Sequence, residues 1–214
     1  MEHAFLGQGY DAGEVAGFLW QNNIPHEVFE DDEKMLARLT DDLTAGKVIG
    51  WMQGRFEWGP RALGNRSILA DPRRAEMKRI VNAKIKFREP FRPFAPVVPE
   101  EKVCDFFDGM ENPARQYPAR FMLLVLPWKS EAGNIVPAVN HVGTGRLQSL
   151  RPEWNPRYYR LVELFGEATG VPVLMNTSFN LRGEPIVASP ADAWNTFRSS
   201  GLDILVMGNC VVRK

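Results

Sequence analysis

The segment WGPRALGNRS, residues 58 to 67, carries two arginines, Arg61 and Arg66, on a stretch punctuated by glycine and proline. Pro60 fixes its own φ near −65°, and the two glycines admit backbone conformations that other residues avoid. Asn65 adds side-chain donors and an acceptor. Little in the segment could fill a core. Cations on so stiff a turn are typical of a site that binds an anion.

A second polar segment, NTSFN, follows the strand-like run VPVLM and contains Asn176, Ser178 and Asn180. Ligands of α/β proteins bind beyond the carboxyl ends of strands, so these side chains could line a crevice. The alternative is an Asx-type turn that satisfies its own backbone. Because phosphate sites combine rigid cations with short polar side chains, we predict that NTSFN shares a crevice with Arg61.

The segment NHVGTGRLQSL supplies further candidates. His141 is flanked by glycine and small polar residues and is the best candidate for acid-base catalysis, although a structural or substrate-contacting role is favoured. Arg146, near Thr144, could face the same anion as Arg61. Ser178 lacks a nucleophile-elbow context, and the phosphate-loop and dinucleotide-binding glycine motifs are absent. Any nucleotide is therefore expected to be held by side chains.

Positive charge is concentrated between Arg55 and Arg92, where eleven basic residues stand against four acidic ones, although the net charge of the chain is zero. This pattern favours a localised anionic ligand over a long polyanion such as nucleic acid.

Helices alternate with strands along the chain, which predicts an α/β fold with a mixed sheet. RFMLLVLP is predicted to be a buried strand because its apolar run is continuous, and GRLQSL an edge strand. Helices are predicted at 11–22, 32–45, 71–85, 155–170 and 189–201, and a hairpin is predicted around Gly208 and Asn209.

The composition, with 44% hydrophobic and 24% charged residues among 214, predicts a folded domain. No apolar run approaches the roughly 20 residues that span a bilayer, and no signal peptide is evident, so a cytoplasmic protein without a membrane partner is expected. Cys104 and Cys210 stand far apart and the histidines are scattered, which implies neither a disulfide framework nor a metal site.

The segments GRFEWGPRALGNRSILADPR, FREPFRPFAP, TGRLQS and VPVLMNTSFNLRGEPIV closely resemble the C-terminal domain of carbamoyltransferases that modify nodulation factors and antibiotics such as tobramycin and cephamycins. The resemblance runs from about Phe5 to the C-terminus. It implies a YrdC-like twisted mixed sheet flanked by helices, with a deep basic groove. It also implies synthesis of carbamoyl-adenylate from carbamoyl phosphate and ATP, with release of pyrophosphate.

The resemblance further implies that Arg61, Lys86 and Arg92 are the catalytic cations, with Lys84 and Arg88 as rival anchors. It places the nucleotide against the NTSFN turn, and the binding residues we predict are Asn65, His141, Thr144, Arg146, Asn176, Ser178 and Asn180. Magnesium is expected to arrive with ATP as substrate, without a metal held tightly by this domain.

In that family a preceding kinase-like domain transfers the carbamoyl group to a hydroxyl. Residues 1–30 are therefore expected to lead from such a domain, and residues 31–214 to form the YrdC-like domain. The oligomeric state is left open. Three alternatives remain: a stand-alone threonylcarbamoyl-adenylate synthase, a non-catalytic docking domain, and a nucleic-acid-binding module, which the neutral net charge disfavours.

Overall fold

The computed structural model describes residues 2–87, 89 and 91–214. In this part of the chain, nine strands form one sheet in the order β1-β9-β8-β2-β3-β7-β4-β6-β5. The pairs β2–β8 and β4–β6 are parallel and the other neighbours are antiparallel, which confirms the predicted mixed α/β sheet. The strands are β1 (Glu27–Val28), β2 (Ile49–Met52), β3 (Arg66–Ala70), β4 (Ala95–Pro99), β5 (Leu124–Pro127), β6 (Thr144–Leu150), β7 (Leu174–Ser178), β8 (Ile204–Met207) and β9 (Cys210–Arg213).

Helices flank the sheet, and side-chain caps begin the longer ones. Asp11, Asp31, Asn155 and Ser189 each accept a backbone N–H of the first helical turn, which satisfies donors that would otherwise lack partners. The helices are α1 (Ala12–Gln21), α2 (Asp32–Thr44), α3 (Met77–Val81), α4 (Val103–Phe106), α5 (Ala132–Ile135), α6 (Pro156–Thr169) and α7 (Pro190–Ser199). None of the helices in the described residues is long and apolar enough to cross a bilayer.

Separate apolar clusters fill the two faces of the sheet. On one face, α2 and α6 pack against the central strands through residues such as Leu39 and Phe165, both fully buried. On the other face, residues of α1, α3 and α7, including Leu19 and Phe197, form the larger cluster. Residues 27–28 pair with β9, so the first thirty residues also contribute a strand to this sheet.

The predicted positions of β5 and β6 were wrong. β5 is the edge strand, and its neighbourhood exposes Leu123 and Val125 by 68% and 63%. β6 lies between β4 and β5, and its polar Gln148 and Ser149 are buried. Gln148 can be buried because its side chain hydrogen-bonds to the carbonyl of Leu63 and to Asn176. An apolar run therefore did not indicate which strand lay inside.

The helix predicted from residue 71 begins only at Met77. Asp71 is fully buried and accepts hydrogen bonds from the backbone and guanidinium of Arg73, which fixes a turn instead of capping a helix. After Val81 the helix continues as a π-helical turn, Asn82–Lys86, and ends at Phe87 with a φ of 45°. The widened turn carries Lys86 toward the end of β7.

Candidate anion-binding site

A buried carboxylate organises the glycine-rich turn between β2 and β3. Glu57 is 2% exposed, and its Oε1 accepts hydrogen bonds from the backbone N–H groups of Leu63, Asn65 and Arg66 at 2.8, 2.7 and 3.2 Å. The turn therefore closes around one oxygen atom, which holds the loop that carries Arg61. Glu57 was not predicted as a functional residue, because nothing in the sequence shows that it is buried.

The two arginines of the turn have different roles. Arg66 is fully buried and donates hydrogen bonds to the backbone carbonyls of Gln53 and Asn65 at 2.6 and 2.9 Å. It therefore stabilises the loop. Arg61 instead lines a cavity, and its Nε is buried without a hydrogen-bond partner in the described part of the chain.

The cavity has a volume of about 220 Å³. It lies at the carboxyl end of β7 and the amino ends of β4 and β6, because β7 is antiparallel to β4 and β4 is parallel to β6. Five of the predicted site residues meet here. The lining residues are Pro60, Arg61, Ala62, Arg92, Pro93, Met122, Arg146, Asn176, Thr177 and Ser178.

Three guanidinium groups face this cavity, and none of its lining residues is acidic. The Nε of Arg146, like that of Arg61, is buried and has no hydrogen-bond partner among the residues described. Burial, and secondarily the charge of Arg61, lower the pKa of Arg146. Arg92 is about half exposed and pairs with Glu89 at 2.9 Å. Arg61 and Arg146 thus place like charges in one cavity, and a bound anion would reduce their repulsion.

Asn176 joins the turn to the sheet. Its Nδ2 donates to the carbonyl of Ala62 at 3.1 Å and to Oε1 of Gln148 at 2.7 Å. Its Oδ1 is buried and has no hydrogen-bond partner in the described residues. Asn176 is part of β7, as is Ser178, so the polar residues predicted to follow the strand are its last residues. Asn176 therefore holds the base of the Arg61 loop against the sheet.

Lys86 hydrogen-bonds to residues at the end of β7. It is 5% exposed, and its Nζ donates to the carbonyl and Oγ of Ser178 at 2.5 and 3.2 Å and to the carbonyl and Oδ1 of Asn180 at 3.1 and 2.7 Å. Neither Lys86 nor Asn180 lines the cavity. The contacts of Lys86 therefore position the end of β7, and its direct contact with the anion stays a prediction. Lys84, the rival anchor, is exposed, and Arg88 lies outside the described residues.

Three other predicted binding residues also lie away from the cavity lining. Asn65 donates to the carbonyl of Arg55 and accepts from Asn155, both at 2.8 Å, so it braces the loop. His141 and Thr144 pair through their backbones at the start of β6, and the Thr144 hydroxyl donates to the His141 carbonyl at 2.8 Å. His141 therefore lies at the turn that begins β6, outside the cavity lining, and its role stays a prediction. The other five lining residues were not predicted as site residues: Pro60, Ala62, Pro93, Met122 and Thr177.

A larger depression of about 610 Å³ lies beside α2 and α6, and two of its three arginines are paired with carboxylates. Arg157 contacts Asp32 at 2.7 Å, and Arg160 contacts Glu33 at 3.1 Å. Its third arginine, Arg55, donates to the backbone carbonyls of Gly7 and Leu6.

In the smaller cavity Arg92 is paired with Glu89, but Arg61 and Arg146 form no ion pair, and their Nε atoms have no hydrogen-bond partner, among the described residues. We therefore take the smaller cavity as the functional site.

Residues 40–214, which include every residue that lines the cavity, match the family described as carbamoyltransferase C-terminus. The chain belongs to this family. It is 46% identical to nodulation protein NolO of Bradyrhizobium diazoefficiens over 88% of its length, and 38% identical to a 3'-hydroxymethylcephem-O-carbamoyltransferase of Amycolatopsis lactamdurans over 80%. It spans only 34% and 31% of those relatives.

Two solved structures share the fold. Full-length HypF in a phosphate- and nucleotide-bound form aligns with 83% of this chain and 25% of its own at a TM-score of 0.54 and 14% identity. Sua5 of P. abyssi complexed with L-threonine aligns with 84% of this chain and 48% of its own at a TM-score of 0.53 and 15% identity. These similarities confirm the YrdC-like architecture that the sequence resemblance implied.

Proposed function

We propose that this carbamoyltransferase-family domain forms carbamoyl-adenylate from carbamoyl phosphate and ATP, as one part of an ATP-dependent O-carbamoyltransferase. The observation that carries the proposal is the convergence of Arg61 and Arg146 on one small cavity without a carboxylate in its lining. The name of the cephem relative supports carbamoyl transfer to oxygen.

The proposed reaction brings anions together. Hydrolysis of carbamoyl phosphate yields carbamate and inorganic phosphate. A carbamate oxygen then attacks the α-phosphorus of ATP, which forms the carbamoyl-adenylate, breaks the bond to the β-phosphate and releases pyrophosphate. Both carbamate and the triphosphate are negatively charged, so the main task of the protein is to neutralise charge and align the reactants.

The residues divide this task by their positions. Arg61 and Arg146 line the cavity and would bind phosphoryl oxygens there. Arg92, whose side chain is 54% exposed, would bind a phosphate group nearer the solvent than those bound by Arg61 and Arg146. Ser178 presents its hydroxyl at the wall, held by Asn180. Magnesium would enter with ATP, because the lining offers arginines and amides and no carboxylate ligand.

The transfer of the carbamoyl group to a hydroxyl is proposed to take place elsewhere in a longer protein. The chain spans about a third of each of the two relatives described above, so most of their length corresponds to other segments. A kinase-like domain in that region would supply the acceptor site. Residues 1–30 would connect the two domains.

The proposal is tested by measuring pyrophosphate release by the full chain with ATP, Mg²⁺ and carbamoyl phosphate, alongside calorimetric titration with ATP. We expect binding that weakens with salt and pyrophosphate release that depends on carbamoyl phosphate. A folded protein that gives no heat with millimolar ATP and releases no pyrophosphate would refute the proposal. Release that requires threonine and bicarbonate instead would indicate the threonylcarbamoyl-adenylate alternative.

A further inference from the structure

Trp58 exposes 73% of its surface although its backbone is firmly held. Its backbone N–H donates to the carbonyl of Ala4 at 2.6 Å, and the preceding Glu57 is buried and forms a β-bridge with Phe5. The exposed indole therefore stands on an anchored backbone and offers a flat aromatic face on which a ligand could stack.

The position of Trp58 relates it to the cavity. It stands two residues before Pro60, which lines the wall, so at most about 7 Å of chain separates them. The cavity, at about 220 Å³, lies below the range of about 300 to 1,000 Å³ that is usual for drug-sized ligands. The phosphate groups of a nucleotide would fill it, and the nucleoside would then lie at its rim.

We propose that Trp58 is the surface on which the nucleobase stacks; this inference rests on the proposed nucleotide-dependent function. A planar base can stack on an indole whatever its hydrogen-bonding pattern. The phosphates would be bound by Arg61 and Arg146, while the ring of Trp58 would bind the base outside the cavity.

The test compares ATP with inorganic tripolyphosphate, which carries the same chain of phosphates and no base. Calorimetric titration of the full chain should show that Trp58→Ala raises the Kd for ATP by about 5- to 100-fold. The Kd for tripolyphosphate should not change. Trp58→Phe should retain most of the ATP affinity, because it keeps an aromatic face.

Trp20→Ala is the matched control, because Trp20 is 67% exposed on α1, which packs against α7 and β9 away from the cavity. It should leave both affinities unchanged. Equal ATP affinity in wild type and Trp58→Ala would overturn the inference while leaving the proposed function intact. The aromatic ring of Phe91 is 68% exposed beside Arg92. A loss of ATP affinity in Phe91→Ala but not in Trp58→Ala would likewise overturn the inference and leave the proposed function intact. Failure of wild type to bind either ligand would instead refute the proposed function.

Discussion

Arg61 and Arg146, from distant parts of the sequence, place their guanidinium groups in one cavity, where the charge of Arg61 contributes to lowering the pKa of Arg146. Neither forms an ion pair within the described residues. Two like charges in a partly buried site destabilise the fold. Their proximity therefore supports the proposed binding of an anion.

Arg61→Ala should weaken binding of ATP or pyrophosphate by about 10- to 150-fold, since a hydrogen bond to a charged group contributes about 1.5 to 3 kcal/mol. The melting temperature should stay the same or rise, because the substitution removes a repulsive charge. Titration calorimetry and thermal unfolding measure the two effects. Arg146→Ala should behave in the same way.

Lys84→Ala is the control, because Lys84 lies exposed in the same basic segment. It should change neither binding nor unfolding appreciably. A sharp fall in melting temperature with unchanged nucleotide affinity in Arg61→Ala would show that the anion site lies elsewhere.

Lys86→Ala should lower the free energy of unfolding by about 1 to 3 kcal/mol, because the oxygens of Ser178 and Asn180 lose a buried donor. This differs from the effect of Arg61→Ala, in which binding is lost and stability is kept. Urea denaturation gives the measurement, and Lys86→Met, which keeps the aliphatic stem, separates lost packing from lost hydrogen bonds. Full stability of both variants would contradict the positioning role.

The sequence predicted the helices best where their termini carry strong signals. Ser189 caps α7 in a capping box with Asp192, Pro190 is its first residue, and Gly170 ends α6 with a φ of 74°. The sequence could not show that β5 is the edge strand and that β6 lies inside the sheet, because Gln148 is buried through hydrogen bonds to residues distant in the sequence. Hydrophobicity along a strand does not encode such partners.

The site was predicted only in part, again because contacts between residues distant in the sequence could not be predicted. Arg61 and Asn176 were predicted to share a crevice, and both line the cavity. Lys86 and Asn65 have the same residue types as ligand-binding groups, but the structure uses their side chains to brace loops. Whether a polar side chain hydrogen-bonds within the protein or faces a ligand depends on packing that only the three-dimensional structure shows.

Glu57→Gln should alter how stability depends on pH. Burial raises the pKa of Glu57 from its ordinary 4.5, against the opposing effect of its backbone hydrogen bonds. The folded state therefore binds the proton more tightly than the unfolded state. Between pH 4.5 and the raised value, the free energy of unfolding contributed by this group falls as pH rises.

Glutamine keeps an oxygen acceptor for the three N–H groups but does not titrate. The stability of wild type relative to Glu57→Gln should thus increase as pH is lowered from 7 toward 5, measured by urea denaturation at each pH. The opposite trend would mean that the backbone hydrogen bonds outweigh burial. Glu89→Gln, at a half-exposed carboxylate, is the control.

Gly64→Ala and Gly59→Ala form a matched pair within the Arg61 loop. Both glycines have φ values that side chains rarely adopt, +111° and +117°, so each substitution should cost about 1 to 3 kcal/mol of backbone strain. A Cβ at Gly64 would also overlap the ring of Tyr158, which is fully buried, whereas nothing lies within 4 Å of a Cβ at Gly59. Gly64→Ala should therefore lose about 1 to 3 kcal/mol more, from overpacking. Urea denaturation of both variants measures the difference, and equal losses would show that Tyr158 does not set the path of the loop.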